Sequence, residues 1–511
     1  MSALSPNTPA PDAPPPGIPG RRGASRPVRA VPWTIANAVF QLLSKFGVLI
    51  VLSRVLSAAE FGLFYIGLAI VVVIGTVAQM GIATNVVFLP EATRRTVASA
   101  LWLGFGSGLV WAGLTWFGYF HVYGATGGMM DGIMLAVVVY LPFHVVFLVL
   151  DAVSRRMFRF RELAVSDLVG TMLGSLLVAY VLALIGWSVW ALVAGQAVYG
   201  LIRMGFLLWT NRDMLSPRPS LADARRLTRG GLAITVSEVA NIASVYGTRP
   251  LIGAYLGPAA AGLWARYYQI IVVQLCALVD PIDRLVLPAL ARRDGDGITA
   301  RVVALIEVIS LLTLPAALVT IVISPVAIPL AFGPGWERLI EPMQIGAIAL
   351  FLRGVDKVLL SATRSTGRMG ARAVAQVVQF LLIFGALLIA MPYGLQAVAA
   401  GFVATQVVCL GLMIAVWQVS SSISAVLVLR AMGPGAFVGA SGALALTPML
   451  FGVDFGPLAQ TAAVLIGSAT AFLIVLIRRR RMLSTPVNDL IDLLKHALAA
   501  SLKPRLARTE G

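Results

Sequence analysis

Charged residues are scarce in this chain, because Asp, Glu, Lys and Arg make up only 12% of its 511 residues. Soluble globular proteins are roughly 25% charged, so about half of the usual charge is missing. Apolar residues account for 59% of the chain, and its mean hydropathy is +0.90. Since a membrane-crossing helix needs about 20 mostly apolar residues, this composition excludes a soluble enzyme and indicates a polytopic membrane protein.

Cysteine and histidine are also rare, with two and three residues respectively. Cys276 and Cys409 both lie in apolar runs, which excludes a disulfide framework and a C-x-x-C metal or redox motif. His121, His144 and His496 are scattered, and no spacing of His, Asp and Glu is typical of a metal site. The sequence has no nucleotide-binding motif in a suitable context. It therefore predicts no metal and no cofactor other than a coupling H⁺ or Na⁺.

Acidic residues are outnumbered by basic ones, 22 against 39, which gives a formal net charge of +17. In a soluble chain this excess would indicate nucleic-acid binding, but cytoplasmic loops of membrane proteins are rich in Lys and Arg. The arginines cluster in alternate loops between apolar segments: Arg94 and Arg95; Arg155, Arg156, Arg159 and Arg161; Arg212, Arg218, Arg225, Arg226 and Arg229; Arg292 and Arg293; Arg364, Arg368 and Arg372; Arg478 to Arg481. We therefore predict no nucleic-acid partner and two cytoplasmic termini.

Apolar segments of helix length are separated by Gly, Pro or charge clusters. They fall at about 33–52, 61–87, 97–118, 130–150, 164–184, 188–209, 232–252, 262–288, 302–330, 342–361, 371–391, 394–418, 431–451 and 457–477. The predicted fold is thus an all-α integral membrane protein with about fourteen transmembrane helices.

Two copies of one pattern stand 200 residues apart. Residues 56–64 read LSAAEFGLF and residues 256–264 read LGPAAAGLW, so Leu, Ala, Gly, Leu and an aromatic residue coincide. The copies are six predicted crossings apart, which keeps them in the same orientation. This predicts two six-helix lobes in parallel repeat with a central cavity between them, plus two C-terminal helices.

The domain plan follows from these boundaries. Residues 1–30 are Pro-rich and have no apolar h-region, which predicts a disordered cytoplasmic tail rather than a signal peptide. The N-lobe is predicted at 31–210 with helices 1–6, a basic cytoplasmic linker at 211–231 and the C-lobe at 232–420 with helices 7–12. Helices 13 and 14 are predicted at 421–478, and a basic amphipathic cytoplasmic tail at 479–511.

Four short motifs carry a family resemblance. Residues 52–64, LSRVLSAAEFGLF, resemble the R-x-L-x-x-x-x-F-G turn of the polysaccharide transporters, and GAYLG at 253–257 followed by Gly262 resembles its second copy. Residues 331–336, AFGPGW, and 361–368, SATRSTGR, resemble two further motifs of that family. Its members are the O-antigen and exopolysaccharide flippases of the multidrug/oligosaccharidyl-lipid/polysaccharide exporter superfamily. The similarity spans about 33–477.

The resemblance implies a flippase that moves an undecaprenyl-diphosphate-linked oligosaccharide across the bacterial inner membrane by alternating access. O-antigen, capsule or exopolysaccharide biosynthesis would be its pathway, with polymerase and chain-length proteins as further partners. The lipid II branch of the superfamily carries arginines along its first helix, whereas this chain has Lys45 there, with Arg54 at the outer end of that helix.

Polar residues inside apolar segments are costly, by roughly 2.5–3.5 kcal/mol for a charge at the bilayer centre, so each is a candidate for a wet cavity. Asn37, Gln41 and Lys45 recur every four residues and form one stripe on the first helix. On the seventh, Glu238, Asn241 and Arg249 fall on one face of a 3.6-residue period. These two stripes are predicted to line the central cavity.

Arg266 and Tyr267 on the eighth helix complete the predicted binding set, together with Arg54. A guanidinium suits a diphosphate because it donates two parallel hydrogen bonds, and tyrosines offer hydroxyls and faces to sugars. The alternative for these residues is anchoring at the membrane interface. Glu238 is the ion-coupling candidate, and its alternative is neutralisation of Arg249 or Lys45. Arg203 is expected to reach the cytoplasmic headgroups.

Two other functions remain open. A cation-coupled multidrug antiporter of the same superfamily would need intramembrane carboxylates, whereas these stripes are richer in cations and amides. A membrane-embedded polysaccharide polymerase or ligase would need a sizeable external loop, and the predicted outer loops hold barely a dozen residues. Both are weaker than the flippase hypothesis, and no catalytic residue is predicted.

Overall fold

The computed structural model describes residues 44, 46–89, 93–124, 127–216, 218–228, 232–279, 297–365, 369–420, 425–445 and 456–478, together with 483 and 487. Helices joined by short turns make up this part of the chain, and it contains no strand. Asn37, Gln41 and Lys45 lie outside the described residues, as do most of the two predicted tails. The predicted polar stripe on the first helix and the two predicted tails therefore stay predictions.

The first half of the chain forms eight α-helices before the basic segment. They are α1 (46–53), α2 (Ala58–Ala78), α3 (Ile82–Phe88), α4 (Arg94–Tyr123), α5 (Met129–Arg156), α6 (Phe160–Gly170), α7 (Ala179–Leu184) and α8 (Val189–Thr210). A π-helix at Thr171–Val178 joins α6 to α7 without a break. Helix α2 packs on α4, α5 and α8, and α5 packs on α4 and α8, which makes these helices one bundle.

The second half begins after α9 (Leu221–Thr228). Its helices are α10 (Leu232–Ile242), α11 (Thr248–Leu256), α12 (Pro258–Leu278), α13 (Gly297–Phe332), α14 (Ile340–Gly346), α15 (Ile348–Ser365), α16 (Met369–Ala390), α17 (Leu395–Ser420), α18 (Ala425–Leu444) and α19 (Pro457–Ile477). A π-helix at Ala243–Gly247 joins α10 to α11. The last two helices, α18 and α19, pack against α13 and each other.

Within the described residues, ten helices are long and apolar enough to cross a membrane. The protein is therefore a multi-pass membrane protein, while the count of fourteen crossings and the lobe boundaries stay predictions. The continuous helical run from α10 to α11 and helix α12 lie outside those ten. These two segments carry Glu238, Arg249 and Arg266.

The two copies of the repeated sequence pattern contact each other in the structure. Helix α2 packs along α12, and both begin at the repeat, since Ser57 caps α2 and Pro258 opens α12. A Cβ built on Gly62 would overlap the backbone oxygen of Pro258, and one built on Gly262 would overlap that of Ala58. The two contacts are equivalent under the offset of 200, so the repeats cross at matched glycines, where small residues let two backbones approach closely.

The motif of residues 331–336 closes one end of this crossing. The Trp336 indole Nε1 donates to the Ser53 carbonyl oxygen at 3.0 Å, and its ring lies edge-on to Phe61 with centroids 5.7 Å apart. Arg54 donates to the Leu330 and Ala331 carbonyls at the end of α13, the Nε contact being 3.2 Å. Three of the four motifs that carry the family resemblance therefore meet in space.

Candidate functional site

A cavity of about 440 Å³ lies between the two halves of the chain. Its wall takes side chains from α1, α2, α5, α7, α8, α11 and α12 and from both π-helices. Half of these side chains are apolar. Those with polar groups are Tyr65, Tyr140, His144, Thr171, Ser175, Gln196, Tyr199, Tyr246, Arg249, Arg266, Tyr268 and Gln269. The prediction of a polar cavity between the repeats agrees with this geometry.

Arg266 projects from α12 towards α2 and is only 1% exposed. Its guanidinium carbon lies 3.8 Å from the centroid of the Phe61 ring and 5.4 Å from that of Trp336. Nη1 donates to the Tyr65 hydroxyl at 3.4 Å and to Gln269 Oε1 at 3.3 Å. Nε and Nη2 have no hydrogen-bond acceptor among the described residues. Aromatic faces thus hold this cation, and two of its donor nitrogens remain available.

Arg249 follows the second π-helix and is 5% exposed. Its guanidinium carbon lies 4.5 Å from the centroid of the Tyr246 ring and 5.2 Å from that of Tyr65. Nε and Nη1 also lack an acceptor within the described part of the chain. Arg249 and Arg266 therefore approach Tyr65 together.

The two guanidiniums share one electrostatic property. No carboxylate of a described residue is ion-paired with either of them. Cation–π contacts contribute about 0.5–2 kcal/mol each, far less than the cost of removing a lone charge from water. A pair of buried cations without a counter-ion, with four nitrogens lacking acceptors, is suited to an anion that accepts several hydrogen bonds.

The opposite wall of the cavity belongs to the first half of the chain. There the Tyr199 hydroxyl donates to Asp167 at 2.8 Å and accepts from Arg203 at 2.7 Å. Arg203 also lies 3.4 Å from Asp167 and 3.7 Å from Asp151. The expectation that Arg203 reaches the headgroups was wrong, because two carboxylates of α5 and α6 hold it inside the bundle. On this side of the cavity the cation of Arg203 is paired with carboxylates, whereas Arg249 and Arg266 on the other side have no carboxylate partner among the described residues.

The other predicted residues that the structure describes do not line the cavity. Arg54 is exposed and satisfies carbonyls at the end of α13, which is a favourable place for a cation on a helix dipole. Tyr267 is fully buried in the core, stacks on Trp264 and donates to the Gly346 carbonyl at 3.0 Å. Its neighbour Tyr268 lines the cavity instead.

The three residues of the predicted stripe on the seventh helix, Glu238, Asn241 and Arg249, do not share one environment. Arg249 is buried and Asn241 is exposed, while the Glu238 carboxylate accepts from Thr84 at 3.4 Å and from Gln79 at 3.5 Å. The single face was predicted from a 3.6-residue period. The π-helix between Asn241 and Arg249 bonds i to i+5 and shifts the register, so that prediction was wrong.

Sequence reasoning missed the aromatic residues that hold the arginines. Phe61 and Tyr65 are four residues apart on α2 and therefore share its face, and both contact Arg266. An aromatic pair at this spacing directly after the repeat motif was the available signal. Tyr246 gave no such signal, because its position depends on the π-helix.

The fold and the cavity define the class as a polytopic, all-helical membrane protein with a cationic cavity between two halves of the chain. A model of the family described as "Polysaccharide biosynthesis protein" matches residues 51–341. The chain belongs to this family, and the resemblance to polysaccharide transporters is confirmed.

Two characterised relatives carry related names. Lipopolysaccharide biosynthesis protein WzxC of Escherichia coli (strain K12) is 24% identical over 372 residues, 70% of this chain and 74% of that protein. Succinoglycan biosynthesis transport protein ExoT of Rhizobium meliloti (strain 1021) is 27% identical over 241 residues, 46% of this chain and 48% of that protein. Both names place these relatives in polysaccharide biosynthesis.

Solved structures share the fold. The inward closed conformation of lipid II flippase MurJ superposes with a TM-score of 0.66 at 10% identity. The superposition covers 88% of this chain and 100% of that one. An inward-facing multidrug resistance MATE family transporter gives a TM-score of 0.56 at 15% identity, covering 74% and 94%. At such identities the likeness concerns the fold alone.

Proposed function

We propose that this protein is a flippase for an undecaprenyl-diphosphate-linked oligosaccharide in the bacterial inner membrane, and that it is not an enzyme. The observation that carries the proposal is the pair of buried guanidiniums of Arg249 and Arg266, which face one cavity without carboxylate partners among the described residues. The names of WzxC and ExoT support a cargo from polysaccharide biosynthesis.

A diphosphate matches this site in charge and in hydrogen bonding. Leaving water costs the diphosphate its hydration, and fixed cations offset that loss in a site of low dielectric. Planar guanidiniums donate parallel hydrogen bonds to phosphate oxygens. The Tyr268 hydroxyl has no partner among the described residues and lines the cavity, so it is available to the first sugars. The cargo head would bind between the two arginines and Tyr65.

The position of the site between the repeats suits alternating access. Arg249 and Arg266 belong to the second repeat, whereas Phe61 and Tyr65 belong to the first. Rocking of one half against the other around the α2–α12 crossing would open the cavity to the cytoplasm and then to the periplasm. We place both termini in the cytoplasm and include the polymerase and chain-length proteins among its partners.

Arginine substitutions test the assignment. A charge-assisted hydrogen bond contributes about 1.5–3 kcal/mol, so Arg266→Gln and Arg249→Gln should each weaken binding of the lipid-linked oligosaccharide roughly 10- to 150-fold. Binding and translocation are measured with purified protein in proteoliposomes. Arg212→Gln is the matched control, because Arg212 is exposed and outside the cavity.

Three results would contradict the flippase assignment. Unchanged binding in both cavity variants would remove the basis for a diphosphate site. Gradient-driven export of cationic drugs, with no translocation of the lipid-linked oligosaccharide, would instead establish the multidrug antiporter. Formation of longer polymer by the purified protein would establish the polymerase.

Glu238 is our candidate for ion coupling. Its carboxylate accepts hydrogen bonds from Thr84 and Gln79, so it joins α10 to α3 and to the C-terminal end of α2 across the two halves of the chain. Protonation or Na⁺ binding there would change a contact between the halves, which is what coupling requires.

A further inference from the structure

A second cavity, of about 320 Å³, lies beside the first between α2, α5 and α8. Its wall runs along α5 from Ile133 to Phe147 and along α8 from Val193 to Met204. At 1.5 Å per residue the α5 wall is about 21 Å long. None of the described residues that line it is charged, and among them only Tyr140 and Gln196 have side chains with N–H or O–H groups. It is an apolar groove.

The groove adjoins the arginine cavity. Phe64, Leu68, Tyr140, Phe147 and Gln196 line both spaces, so one layer of side chains forms the wall that they share. The two polar side chains of the groove are in this shared layer. The lining is therefore charged at the guanidiniums, uncharged but polar at Tyr140 and Gln196, and hydrocarbon in the rest of the groove.

The far side of the groove opens to the surroundings of the bundle. Val139, Phe143 and Leu201 line it and are 59%, 43% and 60% exposed. In a multi-pass protein, apolar side chains exposed in the middle of two crossing helices face lipid. The groove thus lies between one wall of the cationic cavity and the hydrocarbon of the bilayer.

We propose that this groove holds the polyprenyl chain of the cargo while its diphosphate head is bound in the arginine cavity. The inference rests on the proposed function, since it assigns a place to the other half of the same molecule. A diphosphate-linked lipid needs a cationic pocket and an apolar channel that lie side by side, and here the two spaces share one layer of side chains, which would have to part where the first phosphate passes.

The place of the groove beside the cationic cavity, and not a hydrophobic gain in free energy, is what suits it to the polyprenyl chain. Lipid tails are as apolar as the groove, so burial there gains little hydrophobic free energy. What the groove provides is a path by which the tail stays in hydrocarbon while the head crosses. An ordinary phospholipid chain could fill the same volume, but its phosphodiester would bring one negative charge to Arg249 and Arg266, whereas a diphosphate brings two.

Blocking the groove tests the proposal. Ala136 on α5 and Ala197 on α8 line it, and Ala136→Trp and Ala197→Trp would fill it. Gly205→Trp is the control, because Gly205 is exposed on α8 and no atom lies within 4 Å of a Cβ built there. Thermal unfolding in detergent checks that all three variants are folded.

Chain length separates the groove from the head site. In proteoliposomes the blocked variants should translocate the long-chain lipid-linked oligosaccharide about tenfold more slowly than wild type. Their affinity for an analogue with a chain of a few isoprene units should match that of wild type. Normal long-chain translocation in both blocked variants would overturn the proposal, as would equal weakening for both chain lengths. Failure of the proposed function is distinct, because Arg266→Gln would then leave short-chain binding unchanged.

Photo-crosslinking identifies the occupant. A diazirine on the isoprene units nearest the diphosphate should label α5 and α8, and unlabelled lipid-linked oligosaccharide should compete while phosphatidylglycerol should not. Equal labelling by a diazirine phospholipid that the oligosaccharide does not displace would mean that the groove holds ordinary lipid, which would overturn the proposal.

Discussion

The crossing of α2 and α12 should not tolerate a single added methyl group. At Gly62 a Cβ would overlap the backbone oxygen of Pro258, and at Gly262 it would overlap that of Ala58. In both cases the atom in the way belongs to the backbone and cannot rotate aside. Gly62→Ala and Gly262→Ala must therefore push the two helices apart.

The cost follows from two opposing effects. Overpacking a close contact costs about 1–3 kcal/mol and occasionally more. Replacing glycine by alanine within a helix returns about 0.5–1 kcal/mol through backbone entropy. The net loss for each variant should be about 1–2 kcal/mol. Since either methyl separates the same pair of helices, the double variant should cost less than the sum of the two.

Thermal unfolding in detergent measures this loss, and Gly113→Ala and Gly118→Ala on α4 are the controls. A Cβ at either control position meets no atom within 4 Å, so these variants keep only the entropic gain and should be as stable as wild type or more so. Arg266 lies four residues after Gly262, so the crossing variants should also lose cargo affinity. Crossing variants as stable as the α4 controls would refute the close contact.

Two further substitutions address the carboxylates. Asp167→Asn leaves the mostly buried Arg203 with its longer contact to Asp151 and should lower stability by about 1–3 kcal/mol. The double variant with Arg203→Gln should regain part of that loss in thermal unfolding, and no recovery would contradict a buried ion pair. Glu238→Gln keeps an oxygen acceptor for Thr84 but cannot titrate, so head-group binding should persist while transport in proteoliposomes loses its dependence on a H⁺ or Na⁺ gradient. Gradient-dependent transport in this variant would exclude coupling at Glu238.

The fold was predictable where local pattern and packing agree. Several apolar segments within the described residues are helices close to their predicted bounds, as at 457–477, which is α19, whereas 61–87 is divided between α2 and α3. The repeat was visible as a fixed offset, and its glycines proved to be the point where the copies touch. A pattern of small residues indicates close approach without naming the partner, so the crossing itself required the structure.

The faces of the helices were less predictable because two of them change their period. One π-helix lies between Asn241 and Arg249, and the other lies at Thr171–Val178 where α8 packs closely. Hydropathy does not detect a π-helix, since every residue in it is compatible with α-helix. A 3.6-residue period carried across such a segment assigns the wrong face.

The role of an arginine could not be read from its position along the chain either. Arg54 binds backbone carbonyls, Arg203 binds carboxylates, and Arg266 rests on aromatic rings. Only the last arrangement leaves the charge uncompensated and its nitrogens available to a ligand.

Because Phe61 and Tyr65 come from the other repeat, about 200 residues away, the site exists only while the two halves are packed at the Gly62–Gly262 crossing. Any motion that changes this crossing must change the contacts of both arginines, and this links cargo affinity to the conformation of the transporter.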